Sequence, residues 1–256
     1  MTEHNYPYDR AADALFLDFD GTLVDLASEP GGVLVSPALI EALQRLQQES
    51  GGAIAIVSGR PMDELDHFLK PLRLPLAGVH GAERRTADGS VVQQPVPDAS
   101  HLQQRLQAFA DSHGLLMERK RGAVALHYRH QPHLESLCIE TMSAALQQEP
   151  GFSMLRGKMV VEAKPHINKG DAIAAFMREA PFRGRRPVFI GDDVTDEAGF
   201  AWVQSEVAKG LGIKVGNGAT QAGLRVDNPA AVLSLLQQSL TRALPASPPL
   251  LTPASG

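Results

Sequence analysis

Asp18-Phe19-Asp20-Gly21-Thr22-Leu23 follows directly on the apolar run Leu15-Phe16-Leu17, so a strand delivers two carboxylates at its C-terminal end. Side chains alternate along a strand, so residues at i and i+2 leave on one face and Asp18 and Asp20 are expected to point together from the strand's C-terminal end. Ligand crevices of open α/β sheets lie at that end. Neighbouring carboxylates repel, so one must be met by a cation, a proton or a hydrogen bond, and such a pair suits nucleophilic and acid/base work around a metal. Gly21 and Thr22 can present backbone N–H groups to an anion. The plain alternative is a turn, since Asp and Gly are ordinary turn formers. A calcium loop does not fit, because its glycine comes after a third oxygen ligand and Gly21 comes after only two acids.

Three distant segments offer the parts this pair would need. Ala53-Ile54-Ala55-Ile56-Val57 ends at Ser58-Gly59-Arg60, with Pro61 placed to begin a helix. The Ser58 hydroxyl could bond a phosphate oxygen or cap that helix. Asn168-Lys169-Gly170-Asp171 opens another helix, with Asn168 as N-cap and Lys169 in the first turn. The helix dipole disfavours a cation there by roughly 0.3–1 kcal/mol, which calls for an anion such as phosphate or Asp18; a solvated surface lysine is the alternative. Pro187-Val188-Phe189-Ile190 runs into Gly191-Asp192-Asp193-Val194-Thr195-Asp196-Glu197. Asp192 would complete with Asp18 an oxygen site suited to Mg²⁺. Asp193 is expected to pair with Lys169, and Asp196 to serve as an outer ligand or as N-cap of a helix over 197–203.

With 43% hydrophobic and 21% charged residues among 256, the chain has an ordinary soluble composition. The single cysteine, Cys138, reads as a buried helix residue; it excludes an internal disulfide and fits a reducing cytoplasm. No apolar stretch reaches about 18 residues, so neither a signal peptide nor a membrane span is expected. A net charge of −5 argues against a nucleic-acid partner but is compatible with a small phosphate ester. Ser36-Pro37 begins a helix with Leu39, Ile40, Leu43 and Leu46 at helical spacing, between the apolar runs 15–19 and 53–57. With the runs 188–190 and 212–215, this βαβ rhythm predicts a parallel sheet with helices on both faces. From about 85 to 164 the rhythm breaks into helices over 101–112 and 134–148 and strand-like runs over 123–128 and 159–163. The expected organisation is therefore a core of 1–84 and 165–244, an α+β cap of 85–164, a last helix over 230–244 and a disordered tail over 245–256.

The order DxDGTL, SGR, NKG, GDDxTDE resembles the haloacid dehalogenase superfamily of phosphotransferases, which implies an α/β fold: a Rossmann-like parallel-sheet core with an inserted α+β cap. Within it the chain resembles the bacterial trehalose-6-phosphate phosphatases, on the further segments Leu76–Glu83, Ala125–Arg129, Gly157–Glu162 and Ala180-Pro181-Phe182. The resemblance implies Mg²⁺-dependent hydrolysis of trehalose 6-phosphate to trehalose and phosphate, the last step of trehalose biosynthesis. Asp18 would form an aspartyl-phosphate; Asp20 would protonate the departing sugar oxygen and then take a proton from water. Mg²⁺ would be held by Asp18, the Asp20 carbonyl and Asp192, with Asp196 nearby, and Ser58 and Lys169 would hold the phosphoryl group. Gly21, Thr22, Asp193, Arg60 and His80 are expected on the substrate, although Arg60, His80 and Glu83 could instead fix the core–cap hinge. Glu118, Lys120 and Glu162 are expected to bond the distal glucose, although Glu118 and Lys120 could simply form an exposed pair; His127 is expected to be structural. The resemblance places the reaction downstream of trehalose-6-phosphate synthase and implies no stable protein partner. Another capped sugar phosphatase and a catalytically silent sugar-phosphate-binding module are the competing readings.

Overall fold

The computed structural model describes residues 8–27, 32–94, 97–120 and 122–241, so the expected disordered tail lies outside the described residues. The chain begins with β1 (Asp13–Leu17), α1 (Pro37–Glu49), β2 (Ile54–Val57), α2 (Met62–Phe68) and β3 (Leu76–Gly78). The short strands β4 (Glu83–Arg85) and β5 (Val91–Gln93) come next. Then follow α3 (Ser100–His113), β6 (Leu116–Lys120), β7 (Ala123–His127), α4 (Glu135–Leu146), β8 (Phe152–Gly157) and β9 (Val160–Pro165). The last stretch is α5 (Lys169–Phe176), β10 (Arg186–Gly191), α6 (Glu197–Val203), β11 (Leu211–Val215), β12 (Leu224–Val226) and α7 (Pro229–Thr241).

The larger sheet runs β12-β11-β10-β1-β2-β3-β4-β5, parallel from β12 through β3 and antiparallel beyond. Alternation along the strands divides the core into two layers. Leu15, Leu17, Ile54, Ile56, Val188 and Ile190 pack with Leu39 and Leu43 of α1, Leu65 of α2 and Leu236 of α7. Ala14, Phe16, Ala53, Ala55 and Phe189 pack on the other face with Ile173 and Phe176 of α5 and Phe200 of α6. Both faces are covered, which is why these strands read as continuous apolar runs. Every β-to-α turn therefore opens at one end of the sheet.

The core sheet keeps Arg85 at the end of β4 and all of β5, which fall inside the expected insertion of 85–164. Two buried arginines hold β4 in place from opposite faces. Arg84 makes a two-pronged bond to Glu179 at 2.8 and 2.7 Å and lies 4.8 Å over the Phe176 ring. Arg85 grips Asp66 at 2.7 and 2.6 Å and also donates to the Leu74 carbonyl. Paired, fork-shaped contacts of this kind satisfy a buried guanidinium. The second sheet, antiparallel in the order β6-β7-β9-β8, thus occupies the stretch from Ser100 to Pro165 together with α3 and α4. Its Val124, Leu126, Val161 and Ala163 bury against Leu102 and Leu106 of α3 and Cys138 and Met142 of α4.

Candidate active site

The four motifs meet where the parallel strands end. β1 stops at Leu17, and the Asp18 N–H is tied to the Ile190 carbonyl of neighbouring β10 at 2.9 Å. The chain then folds into a tight turn in which the Phe19 carbonyl accepts from Leu23 N and Val24 N, at 2.9 and 3.2 Å. The strand ends before Asp20, and the two carboxylates take different partners, Lys169 for Asp18 and Arg60 for Asp20.

Asp18 is buried and its Oδ1 accepts from Lys169 Nζ at 2.7 Å; the same ammonium donates to Asp196 Oδ1 at 2.7 Å. Lys169 opens α5 behind an Asn168–Asp171 capping box. Its cost at a positive helix end is offset by two buried anions. The other Asp196 oxygen accepts from the N–H groups of Asp192 and Asp193, at 2.9 and 3.0 Å. Asp196 stands at the N-cap position of α6 without a side-chain cap bond there, and Asp193 caps the preceding 3-10 turn over 194–196, accepting from Thr195 N at 2.7 Å. Asp193 is therefore engaged with its own loop, and the expected ion pair with Lys169 is made by Asp18 and Asp196.

Carboxylate oxygens of Asp18, Asp192 and Asp196 lie within 4.8 Å of one another. Burial pushes the Asp18 carboxyl well above its ordinary range; Lys169 opposes the shift, and the Asp196 and Asp192 charges add to it. Burial, reinforced by Asp196 and Asp193, raises Asp192 to about 6. Burial also raises Asp196. Lys169 is raised as well: burial alone would lower it, but Asp18 and Asp196 outweigh that and hold the ammonium charged. One bonded lysine leaves the three acids with excess negative charge, and all-oxygen donors suit a small hard cation. The backbone is shaped for this crowding. Gly21 adopts φ +76°, and a Cβ there would lie 2.1 Å from Asp192 Oδ2, so only glycine admits the Asp192 carboxylate.

Asp20 bonds Arg60 through both of its oxygens. Ser58 is buried at the tip of β2, where its Oγ accepts from Arg60 N at 3.2 Å. Thr22 is wholly buried beside the acidic turn. His80 packs its ring on Gly59 and belongs to a turn in which Val79 and His80 take φ of +48° and +56°. Glu83 reaches under this loop and accepts from Met62 N at 2.6 Å. Arg60, His80 and Glu83 thus all bear on the Ser58–Met62 turn. The role of Arg60 was not evident from sequence, since its partner lies 40 residues away.

In the second sheet, Glu118, Ala125 and Glu162 stand directly opposite one another across β6, β7 and β9. Their row alternates with Val161 and Ala163, so it lies on the face turned away from α3 and α4. Glu118 pairs with His127 Nε2 at 2.9 Å, which gives His127 a positioning contact. Glu162 is buried, and Lys120 ends β6 two residues beyond Glu118.

The model of the trehalose-phosphatase family matches residues 16–230. The chain belongs to that family. It is 45% identical over 232 residues to the trehalose-6-phosphate phosphatase of Escherichia coli K12, covering 89% of this chain and 86% of that one. A solved trehalose-6-phosphate phosphatase related protein superposes with a TM-score of 0.68 at 28% identity, covering 88% of this chain and 96% of that one. A haloacid dehalogenase-like hydrolase from Bacteroides thetaiotaomicron shares the fold at a TM-score of 0.64 and 16% identity, covering 89% and 99% of the two chains. The trehalose-phosphatase match thus spans both sheets and all four motifs. Among the described residues no helix is long and apolar enough to cross a membrane.

Proposed function

We propose that this chain hydrolyses trehalose 6-phosphate to trehalose and phosphate through an aspartyl-phosphate on Asp18, with Mg²⁺ as its metal. The observation that carries the reading is the split between the two acids: Asp18 is buried on Lys169, while Asp20 stands on its own cation, Arg60, and is partly exposed. Asp18 attacks phosphorus in line as the bond to the sugar oxygen breaks, and Lys169, bonded to the attacking carboxylate, offsets charge on the transferring group. Asp20 gives a proton to the departing oxygen and recovers one from the water that hydrolyses the intermediate. Ser58, whose Oγ accepts from Arg60 N and keeps its own O–H to donate, is the donor offered to phosphoryl oxygens, whereas the Gly21 and Thr22 N–H groups expected there are engaged with the Val24 and Phe19 carbonyls. Asp18, Asp192 and the Asp20 carbonyl would hold Mg²⁺, which when bound supplies Lewis-acid stabilisation of phosphoryl charge. Asp196, with both oxygens already engaged, fixes this set from behind. The Glu118–Ala125–Glu162 row supports a sugar-binding role for the cap: two carboxylates flank a small residue, leaving room for a ring whose hydroxyls they can accept from. A cytoplasmic setting, downstream of a synthase that makes this substrate, is part of the same reading.

The test is phosphate release from trehalose 6-phosphate, sucrose 6-phosphate, glucose 6-phosphate and an aryl phosphate, with Mg²⁺ and with chelator. Metal-dependent preference for trehalose 6-phosphate is expected; equal rates on all four would overturn the substrate assignment. In the same assay Lys120→Ala is expected to lower kcat/KM for the disaccharide at least about tenfold, the worth of one charge-assisted hydrogen bond, while sparing the aryl phosphate. Equal losses on both would remove Lys120 from sugar recognition.

The raised carboxyls make metal binding pH-dependent in a stated direction. Asp192 titrates near 6 in the fold, above its ordinary value, so without metal its contribution to stability is present in acid and lost as pH rises through about 6. A cation displaces that proton, so its apparent affinity should weaken about tenfold per pH unit below about 6. Melting temperatures measured with and without Mg²⁺ across this range should show a metal-induced rise that grows with pH.

A further inference from the structure

Arg60 holds Asp20 with two bonds, Nε to Oδ2 at 2.6 Å and Nη2 to Oδ1 at 2.8 Å. Both oxygens of the acid thus accept from one guanidinium. The remaining arm, Nη1, donates to Glu64 Oε2 at 3.0 Å, one helical turn along α2. The guanidinium carbon lies 5.1 Å from the Phe68 ring centre and 5.8 Å from that of Phe19, and the two rings stack at 5.8 Å. The backbone is fixed as well: Arg60 N donates to Ser58 Oγ, and its carbonyl accepts from Val79 N at 3.0 Å. Val79 makes that bond from φ +48°, a left-handed conformation that costs a β-branched residue of order 1–3 kcal/mol. These contacts hold the guanidinium between Asp20 and Glu64.

With both oxygens accepting from Arg60, neither is placed to donate, so one oxygen must leave Arg60 before the sugar oxygen departs. In the first half-reaction the Asp18 oxygen–phosphorus bond forms, the phosphorus–sugar oxygen bond breaks, and the sugar oxygen takes the Asp20 proton. In the second, water attacks phosphorus, the Asp18–phosphorus bond breaks, and Asp20 regains a proton from that water. Asp20 is therefore a carboxylate at the phosphoenzyme stage, the form that the Arg60 fork fits. We propose that Arg60 is a positioning residue that acts through Asp20, aiming it as the base for hydrolysis of the phosphoenzyme, with Glu64 retaining the guanidinium when one Asp20 oxygen is released. The proposal rests on the aspartyl-phosphate reading above.

Arg60→Gln tests it. Misaiming the base should slow phosphoenzyme hydrolysis, so kcat should fall about 10- to 100-fold while kcat/KM, which reports formation of the intermediate, is retained. Acid-quenched protein should then carry a hydroxylamine-labile acyl phosphate. The kcat values for trehalose 6-phosphate and an aryl phosphate should converge, because one shared step limits both. Arg60→Lys, which restores one donor, should recover part of the rate. In an Asp20→Asn background Arg60→Gln should cost nothing more, as expected for residues acting as one unit. Joint loss of kcat and kcat/KM with no trapped phosphoenzyme, unchanged kinetics, or additive losses would each overturn the proposal. If Asp20→Asn traps the acyl phosphate and Arg60→Gln does not, the Arg60 role alone fails. If neither traps it and Asp18→Asn still turns over, the aspartyl-phosphate reading fails with it. A melting curve of Arg60→Gln matching the parent establishes that the variant is folded.

Discussion

Asp18→Asn is expected to abolish phosphate release, lowering kcat by at least about 10⁴-fold, because an amide oxygen cannot carry the phosphoryl group and no second carboxylate among the described residues is placed to replace it. Asp192 belongs to the same cluster, but its carboxylate lies against Gly21, and Asp196 is closed off by Lys169 and two backbone N–H groups. The same substitution should leave the fold at least as stable. Burial raises the Asp18 carboxyl, so at neutral pH the charged side chain opposes folding when no cation is bound, and a neutral isostere removes that opposition. Lys169 keeps Asp196 as its partner. Chelator-treated Asp18→Asn should therefore melt at or above the parent at about pH 7.5, while gaining less than the parent on adding Mg²⁺. Residual turnover would exclude Asp18 as nucleophile. A lowered melting point with lost activity would instead make Asp18 structural. Active sites commonly store instability of this kind, and here its source is three acids gathered on one bonded lysine.

What sequence could show of this site depended on whether the chemistry was local. Asp18, Lys169 and Asp192 were legible because each sits where an apolar strand or a capped helix begins or ends, and those signals lie within a few residues. The exchange between Asp193 and Asp196 was not, because both stand in one short acidic run and only the turn geometry decides which faces inward. The partnership of Arg60 with Asp20 joins the tips of two strands and leaves no trace in spacing. The same limit explains the core boundary. β3, β4 and β5 have three residues each, too few to display a period, and β4 is the charged Glu83-Arg84-Arg85. Its burial depends on Glu179 and Asp66, distant carboxylates that neutralise what would otherwise be surface residues. The long parallel strands, apolar on both faces, needed no such help and were readable from composition alone.

Lys169→Met should have the second large effect, and it separates structure from chemistry. The ammonium is 3% exposed and bonds two buried carboxylates at 2.7 Å each. Removing it leaves both acids without their cation, which costs about 3–5 kcal/mol when a buried pair loses one partner. The loss should depend on pH. With Lys169 gone, the Asp18 and Asp196 carboxyls rise further above their ordinary range, so the variant should approach the parent in acid and fall away from it as pH increases. Adding Asp196→Asn should restore much of that stability by removing one of the two uncompensated charges. It should not restore activity. Without a cation on Asp18, charge on the transferring phosphoryl group is unmatched, and kcat should stay down about 10³-fold, the scale for losing one preorganised electrostatic contact. Melting curves and phosphate release for Lys169→Met and the double variant give the answer together: stability recovered with activity still absent assigns Lys169 to the reaction as well as the fold. Recovery of both would reduce it to a counter-ion for Asp196.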